Sequence, residues 1–210
     1  MPLDLEEQEQ VAELKAWWNQ WGTIVLSVAV AVALGFSAWT WWKSREAKES
    51  QQASSLYETL TRSAQAGDAK GVRDASGALA ESYSRSHYAS MGALVAARYY
   101  FDHRDLKSAK AQLQWVIEHA ATDDFRDLAR LRLAAVLLDE KAYDEALGAA
   151  DAPHGAAYDS QFAAIKGDIL VAKKQPAEAK AAYKLALDKA PEGDQAFRNS
   201  VRMRMEALGG

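Results

Sequence analysis

Hydrophobic and polar positions divide this chain into two unlike parts. From residue 16 to residue 42 there are 27 residues without a charge, and residues 22–34 at the centre are nearly all apolar. At about 1.5 Å per residue, residues 22–42 span roughly 30 Å as a helix, the thickness of a bilayer's hydrocarbon core. Trp17, Trp18 and Trp21 precede this stretch, and Trp39, Trp41 and Trp42 close it. Six of the chain's seven tryptophans therefore stand where headgroups would be, as in an interfacial aromatic belt. The pattern predicts a single transmembrane anchor at residues 22–42, preceded by an acidic tail at residues 1–21. A cleaved signal peptide would need a basic start, a shorter apolar core and a small-residue exit. Here the start carries Asp4, Glu6, Glu7, Glu9 and Glu13 against Lys15, and the exit is Trp39-Thr40-Trp41-Trp42.

Beyond residue 42 apolar density falls and helix signals take over. Residues 43–66 read as a polar linking helix, with Leu56, Tyr57 and Leu60 as its few apolar contacts and no proline or glycine before Gly67. Helical segments then alternate with short breaks at Gly67-Asp68, His103-Arg104-Asp105, Thr122-Asp123-Asp124, Glu140-Lys141, Pro153-His154-Gly155, Lys174-Gln175-Pro176 and Pro191-Glu192-Gly193-Asp194. Pro153, Pro176 and Pro191 stand at breaks, because proline lacks an amide donor and clashes inside a helix. No segment sustains the two-residue alternation of a strand, so the predicted fold class is all-α.

The breaks are regular. Aligned on Tyr143-Asp144-Glu145-Ala146, the chain shows Leu106-Lys107-Ser108-Ala109 earlier and Pro176-Ala177-Glu178-Ala179 later. Twelve residues before Ala109, Ala146 and Ala179 stand Ala97, Ala134 and Gly167, with spacings of 37 and 33 residues between units. Two antiparallel helices approach closely only where neither carries bulk, so each small residue is predicted to face its alanine. Tyr100, Leu137 and Leu170 follow the first small residue by three, and Tyr183 and Pro191 complete the pattern in the last unit. These residues resemble the tetratricopeptide repeat, whose period is about 34 residues. The resemblance implies an α-solenoid over residues 67–210. Its best repeats are degenerate units at 90–123, 127–160 and 160–193. The tryptophan, leucine and glycine usual early in the first helix are mostly missing, and Ala93, Arg130 and Ala163 stand in for one of them. Two further helices at 50–86 are candidates for a fourth, more divergent pair, although they do not align. Residues 194–208, with Phe197, Val201, Met205 and Leu208 at helical spacing, read as the capping helix such arrays need.

Charge adds to this picture. The net charge of −4 belongs to residues 1–21, since residues 43–210 carry 24 basic and 24 acidic side chains. A balanced domain lacks the basic footprint of a nucleic-acid binder. With no cysteine, disulfides, thiolate zinc sites and a cysteine nucleophile are excluded. His87, His103, His119 and His154 are isolated, and Gly67 and Gly71 frame Asp68-Ala69-Lys70 without the ending of a phosphate loop. Ser84, Ser86 and Ser90 near His87 read as helix caps. No catalytic or cofactor-binding set emerges, and the chain reads as a non-enzyme.

Taken in order, the acidic tail, tryptophan-flanked anchor, polar helix and degenerate repeats are similar to the YfgM family, bacterial single-span ancillary subunits of the SecYEG translocon. The strings Ser86-His87-Tyr88-Ala89-Ser90-Met91-Gly92-Ala93-Leu94, Ala109-Lys110-Ala111-Gln112-Leu113-Gln114-Trp115, Leu131-Arg132-Leu133-Ala134 and Gly167-Asp168-Ile169-Leu170 carry the resemblance. It implies an inner-membrane protein with a cytoplasmic N-terminus and a periplasmic repeat domain. The implied partners are SecYEG, the membrane-anchored chaperone PpiD and exported client proteins. Charge near the span points the other way, with Lys15 before it and Lys43, Arg45, Lys48 and Arg62 after it. The positive-inside rule would make the repeats a cytoplasm-facing scaffold, although large domains are translocated largely regardless of charge.

Three surfaces are candidates for contact. Ser27, Ala31, Gly35 and Ala38 share one face of the anchor, where a second membrane helix could pack closely, although small residues also recur on its other faces. Val11, Leu14, Trp18 and Trp21 form an apolar stripe in the tail, suited either to the membrane interface or to a helical extension of the anchor. In the solenoid, the first helix of each pair lines the concave side. Arg98, Tyr99, Asp127, Arg130, Asp159 and Gln161 are the exposed candidates there.

Overall fold

The computed structural model describes residues 5–209, apart from the side chains of residues 5–9, 38, 44, 46 and 47. Met1–Asp4 of the predicted tail, and the side chain of Ala38 on the predicted small-residue face, lie outside it. The chain divides into two compact units, Met1–Glu49 and Ser50–Gly210. All regular structure among the described residues is helical.

Helix α1 (Leu5–Ala66) begins in the first unit. It has the length and composition to cross a membrane, with a mean hydropathy of 1.9 in its most apolar window, of which only 6 % is buried within the protein. Its polar side chains turn back onto the helix. Ser27 donates to the Thr23 carbonyl at 2.8 Å, and Thr40 to that of Phe36 at 3.0 Å. Such internal bonds are what a polar group needs where no water is present. Val11, Leu14, Trp18 and Trp21 belong to this same helix, so the tail stripe extends the anchor helix. The Trp18 ring covers Gly22, where an added Cβ would stand 3.2 Å from it. At the other end Lys43 lies 4.9 Å from the Trp39 ring and Arg45 lies 5.7 Å from that of Trp41. These are cation–π contacts between the first basic side chains after the apolar run and its closing tryptophans.

The second unit pairs the last part of α1 with α2 (Ala69–Ser82), α3 (His87–Asp102) with α4 (Leu106–His119), α5 (Asp123–Asp139) with α6 (Tyr143–Ala150), and α7 (Asp159–Ala172) with α8 (Pro176–Lys189). A single 3₁₀ turn, Ala156–Tyr158, leads into α7, and α9 (Gln195–Glu206) follows α8. One turn recurs in every pair. Gly67, Arg104, Lys141 and Lys174 take φ of 73°, 63°, 63° and 61°. The amide after each donates to a carbonyl five residues back: Asp68 to Ser63, Asp105 to Tyr100, Ala142 to Leu137 and Gln175 to Leu170, all at 2.9 Å. This is the left-handed C-terminal cap that satisfies the orphan carbonyls of a helix end. Asp68 and Asp105 then cap the following helix through their carboxylates. Pro176 instead opens α8 at its first position, where no amide is needed.

These turns register the first pair, which the sequence pattern left unaligned. Counting from Gly67 as from Arg104 puts Leu60 where Ala97 stands and Val72 where Ala109 stands. Both are fully buried, in a cluster with Ala53, Ala75 and Leu79. Residues 50–66, part of the predicted linking helix and of the candidate divergent pair at 50–86, thus stand as the first helix of the array. Bulk replaces the small pair there, so the motif used for alignment is absent. At the other end Phe197, Val201, Met205 and Leu208 pack on Ala182, Tyr183 and Ala186.

Candidate interaction face of the repeat array

The residues predicted to carry helix–helix packing sit in the interior. Ala109, Ala134, Ala146 and Ala179 are fully buried, and Ala97 and Gly167 are buried with them. Gly167 lies under the Tyr183 ring: a Cβ added there would stand 2.5 Å from Cδ1 and 3.0 Å from Cζ. The Tyr183 hydroxyl donates to Asp168 at 2.7 Å, and the other Asp168 oxygen accepts from Arg204 of α9 at 2.7 Å. Burial, followed by the neighbouring Asp168 carboxylate, pushes the Tyr183 phenol far above its ordinary range.

The predicted exposed face divides. Arg98 is exposed and pairs with Asp102 at 2.7 Å. Arg130, Asp159 and Gln161 are half-buried. Arg130 donates to the Pro153 carbonyl at 2.6 Å, Asp159 pairs with Lys189 at 3.1 Å, and Gln161 is hydrogen-bonded to Ser160 at 2.9 Å. Tyr99 and Asp127 are not exposed: they retain 6 % and 4 % of their accessible surface. The Tyr99 hydroxyl donates to the Gly67 carbonyl at 3.0 Å, tying the second pair to the first. The Asp127 carboxylate accepts from the Gly155 amide at 2.8 Å and from Arg130 at 3.3 Å, which fixes the loop before α7. A buried polar group must find such partners, and both residues are spent on the architecture.

Asp127 also belongs to a pattern that the sequence reading missed. Seven residues before Ala97, Ala134 and Gly167 stand Ser90, Asp127 and Ser160, three of the four buried polar residues among those described. Ser90 accepts from the Ala121 amide at 3.2 Å, as Asp127 does from that of Gly155. Ser90 and Asp127 each latch the loop that leaves their own pair, whereas the Ser160 hydroxyl is bonded to the adjacent Gln161. The signal was present as a lone polar residue at a fixed offset within an apolar stripe. Arginines do related work at helix ends, Arg126 donating to the Ile117 carbonyl at 3.2 Å and Arg198 to that of Leu187 at 2.8 Å.

The accessible relief on the first helices is an apolar trough. A hollow of about 530 Å³ opens between Tyr57, Leu94, Val95, Phe125 and Leu128, drawn from α1, α3 and α5. A second hollow, of about 280 Å³, is lined by Phe101, Leu113 and Val136. Arg98 and Arg132 border both. Arg132 was not singled out by its sequence position. Its guanidinium makes only a long contact, 3.4 Å, to the Leu94 carbonyl, and no salt bridge among the described residues. Burial, and then the neighbouring Arg98 charge, lowers its pKa. The histidines do not converge. His103, His119 and His154 each lie against an aromatic ring and bond a nearby carbonyl, and His87 meets the edge of Phe125.

Stacked helix pairs with small residues at their crossings and a capped end define a solenoid of the tetratricopeptide class, a scaffold for binding other proteins. A family profile described as "Tetratricopeptide repeat-like domain" matches residues 15–210. A protein of Neisseria gonorrhoeae named as an ancillary SecYEG translocon subunit is 31 % identical over 209 residues, covering 99 % of this chain and all of that protein. Proteins of the same name from Haemophilus influenzae and Escherichia coli are 26 % and 27 % identical, covering 99 % and 84 % of this chain and 100 % and 85 % of their own lengths. The chain belongs to this family of ancillary SecYEG translocon subunits, the YfgM family.

Proposed function

We infer that the protein is a non-enzymatic adaptor held in the bacterial inner membrane by the α1 anchor. Its repeat array serves the SecYEG translocon and, on the periplasmic side, a chaperone network that includes PpiD and receives newly exported proteins. The observation that carries this reading is the pairing, in one chain, of a tryptophan-bracketed apolar span with a helix-pair array. The relatives' shared name supports the translocon as the place of work. Anchoring confines the array to a surface, which raises the effective concentration of bound partners near emerging chains. The small residues Ser27, Ala31 and Gly35, exposed on α1, suit a helix of the translocon as neighbour.

A second reading rests on charge. Lys43, Arg45, Lys48 and Arg62 follow the span and only Lys15 precedes it, which favours a cytoplasm-facing scaffold. Alkaline phosphatase fused after Gly210 separates the two, because it folds only in an oxidising space. An active fusion, with translocon subunits recovered alongside the native chain from solubilised membranes, is the expected result. An inactive fusion of normal abundance overturns the periplasmic assignment.

A further inference from the structure

The far end of the apolar run sets cations against tryptophans that pack on little else. Trp39, Trp41 and Trp42 keep 57 %, 65 % and 70 % of their accessible surface, and Lys43 and Arg45 are exposed with them. Lys43 Nζ lies 4.9 Å from the centre of the Trp39 ring, and the Arg45 guanidinium 5.7 Å from that of Trp41. In each pair the cation follows its ring by four residues, about one helical turn. Arg45 gives its Nε to Glu49 at 3.2 Å, which leaves the two terminal nitrogens of its guanidinium for another acceptor. A ligand that meets such a pair must be apolar against the indole and anionic against the cation, across the 4.9–5.7 Å between them. Lys43 and Arg45 are two residues apart, about 200° around the helix axis, so the pairs look out on opposite sides. One protein partner covers one side of a helix, whereas surrounding lipid covers both.

We propose that the Trp39–Lys43 and Trp41–Arg45 pairs are two binding sites for phospholipids whose headgroup carries a net negative charge, one on each side of α1. The lipid phosphate accepts from the ammonium or guanidinium, while the glycerol and first methylenes lie against the indole. The ring quadrupole holds each cation in place and leaves its outer donors free. A zwitterionic headgroup brings an ammonium of its own, which competes with Lys43 and Arg45 for the phosphate; an anionic headgroup does not. Residues 43–49 carry Lys43, Arg45 and Lys48 against Glu46 and Glu49, a net charge of only +1. Diffuse attraction to an anionic surface is therefore weak, and the selectivity comes from the two pairs. Lys48 has Ser44 rather than a tryptophan four residues before it, so it bears the same charge without the site. The assignment rests on the membrane-anchored reading of α1.

The test uses the full chain in unilamellar vesicles, with Trp17→Phe, Trp18→Phe and Trp21→Phe so that the belt fluorescence comes from Trp39, Trp41 and Trp42. Lipids brominated in their acyl chains quench the tryptophans they touch. Brominated phosphatidylglycerol, diluted into phosphatidylcholine, is compared with brominated phosphatidylcholine at the same fraction. The expected preference for phosphatidylglycerol is about fivefold, the worth of one basic side chain at an anionic headgroup. Lys43→Gln and Arg45→Gln should each remove roughly half of it and together abolish it. Trp39→Leu keeps the apolar surface but not the support of the cation, and should act like Lys43→Gln. Lys48→Gln should leave the preference intact. Diffuse attraction would count Lys48 equally, since it stands only about 7.5 Å further along the helix, within a Debye length. Unchanged quenching by brominated phosphatidylcholine shows that each variant remains inserted. Equal quenching by the two lipids in the parent, or equal losses in Lys48→Gln and Lys43→Gln, overturns the proposal. Loss of the preference once SecYEG is reconstituted alongside also overturns it, in favour of an acidic protein surface. Quenching by neither lipid would remove the membrane span, and the adaptor reading and the lipid sites with it. Quenching by both without preference removes the lipid sites alone.

Discussion

Replacing Gly167 by alanine tests the close helix crossing that organises the last repeat. In isolation the change should help, since alanine is favoured over glycine inside a helix by about 0.8–1.0 kcal/mol. Here the new methyl would stand 2.5 Å from Tyr183 Cδ1, about an ångström inside normal contact. The ring cannot swing clear: it is 2 % exposed, and its hydroxyl is bonded to Asp168, which also holds Arg204 of α9. Overpacking a fixed site costs about 1–3 kcal/mol. Displacing the phenol also weakens a bond to a charged acceptor that contributes about 1.5–3 kcal/mol. The opposing terms leave a net loss of about 2 kcal/mol, or roughly 4–8 °C in thermal midpoint for a domain of this size. Gly148 on α6 is the control, with nothing within 4 Å of an added Cβ. Gly148→Ala should raise the midpoint by roughly 2–4 °C through propensity alone. Circular dichroism melts of the full chain in micelles measure both. A Gly167→Ala midpoint at or above that of the parent would refute the argument, because then the crossing is not as tight as the Tyr183–Gly167 contact requires.

Other predictions address the latch, the phenol and the anchor. Asp127→Ala leaves the Gly155 amide without its acceptor and should cost about 1–3 kcal/mol, with faster proteolysis at residues 153–155 as the local readout. Because the Tyr183 phenol is held above its unfolded value, the folded chain keeps that proton more tightly. The stability this provides is complete below about pH 10 and is lost as pH rises beyond it. Tyr100 and Tyr158, raised by burial in the same direction, add to the decline. Tyr183→Phe should start less stable at neutral pH yet fall less steeply in melts taken above pH 10. In the anchor, Ala31→Ile with Gly35→Ile should reduce recovery of translocon subunits several-fold, since close helix approach in lipid depends on small residues; undiminished recovery would remove that face.

Local rules made much of this molecule legible before its fold was known. An uncharged run bracketed by tryptophans gives α1 the length and composition to cross a membrane, and both can be read from the sequence alone. Glycine, proline and aspartate at the breaks mark helix ends through backbone geometry and capping. The twelve-residue offset between small residues was visible in the sequence, but the partner was not: Gly167 makes room for the Tyr183 ring of α8.

What the sequence could not decide was which side chain fills which space. The first pair escaped alignment because Leu60 and Val72 occupy the small-residue positions, and only the recurring left-handed turn at Gly67, Arg104, Lys141 and Lys174 reveals the common register. Tyr99 and Asp127 looked like surface residues by chemical type. Their destinations, the Gly67 carbonyl and the Gly155 amide, lie 32 and 28 residues away in sequence. Arg132 gave no signal of its own until tertiary packing set it beside Arg98, without a carboxylate partner among the described residues. Period and composition act over a few turns of helix. The pairing of polar groups is settled by contacts between repeats, and those exist only once the array has stacked.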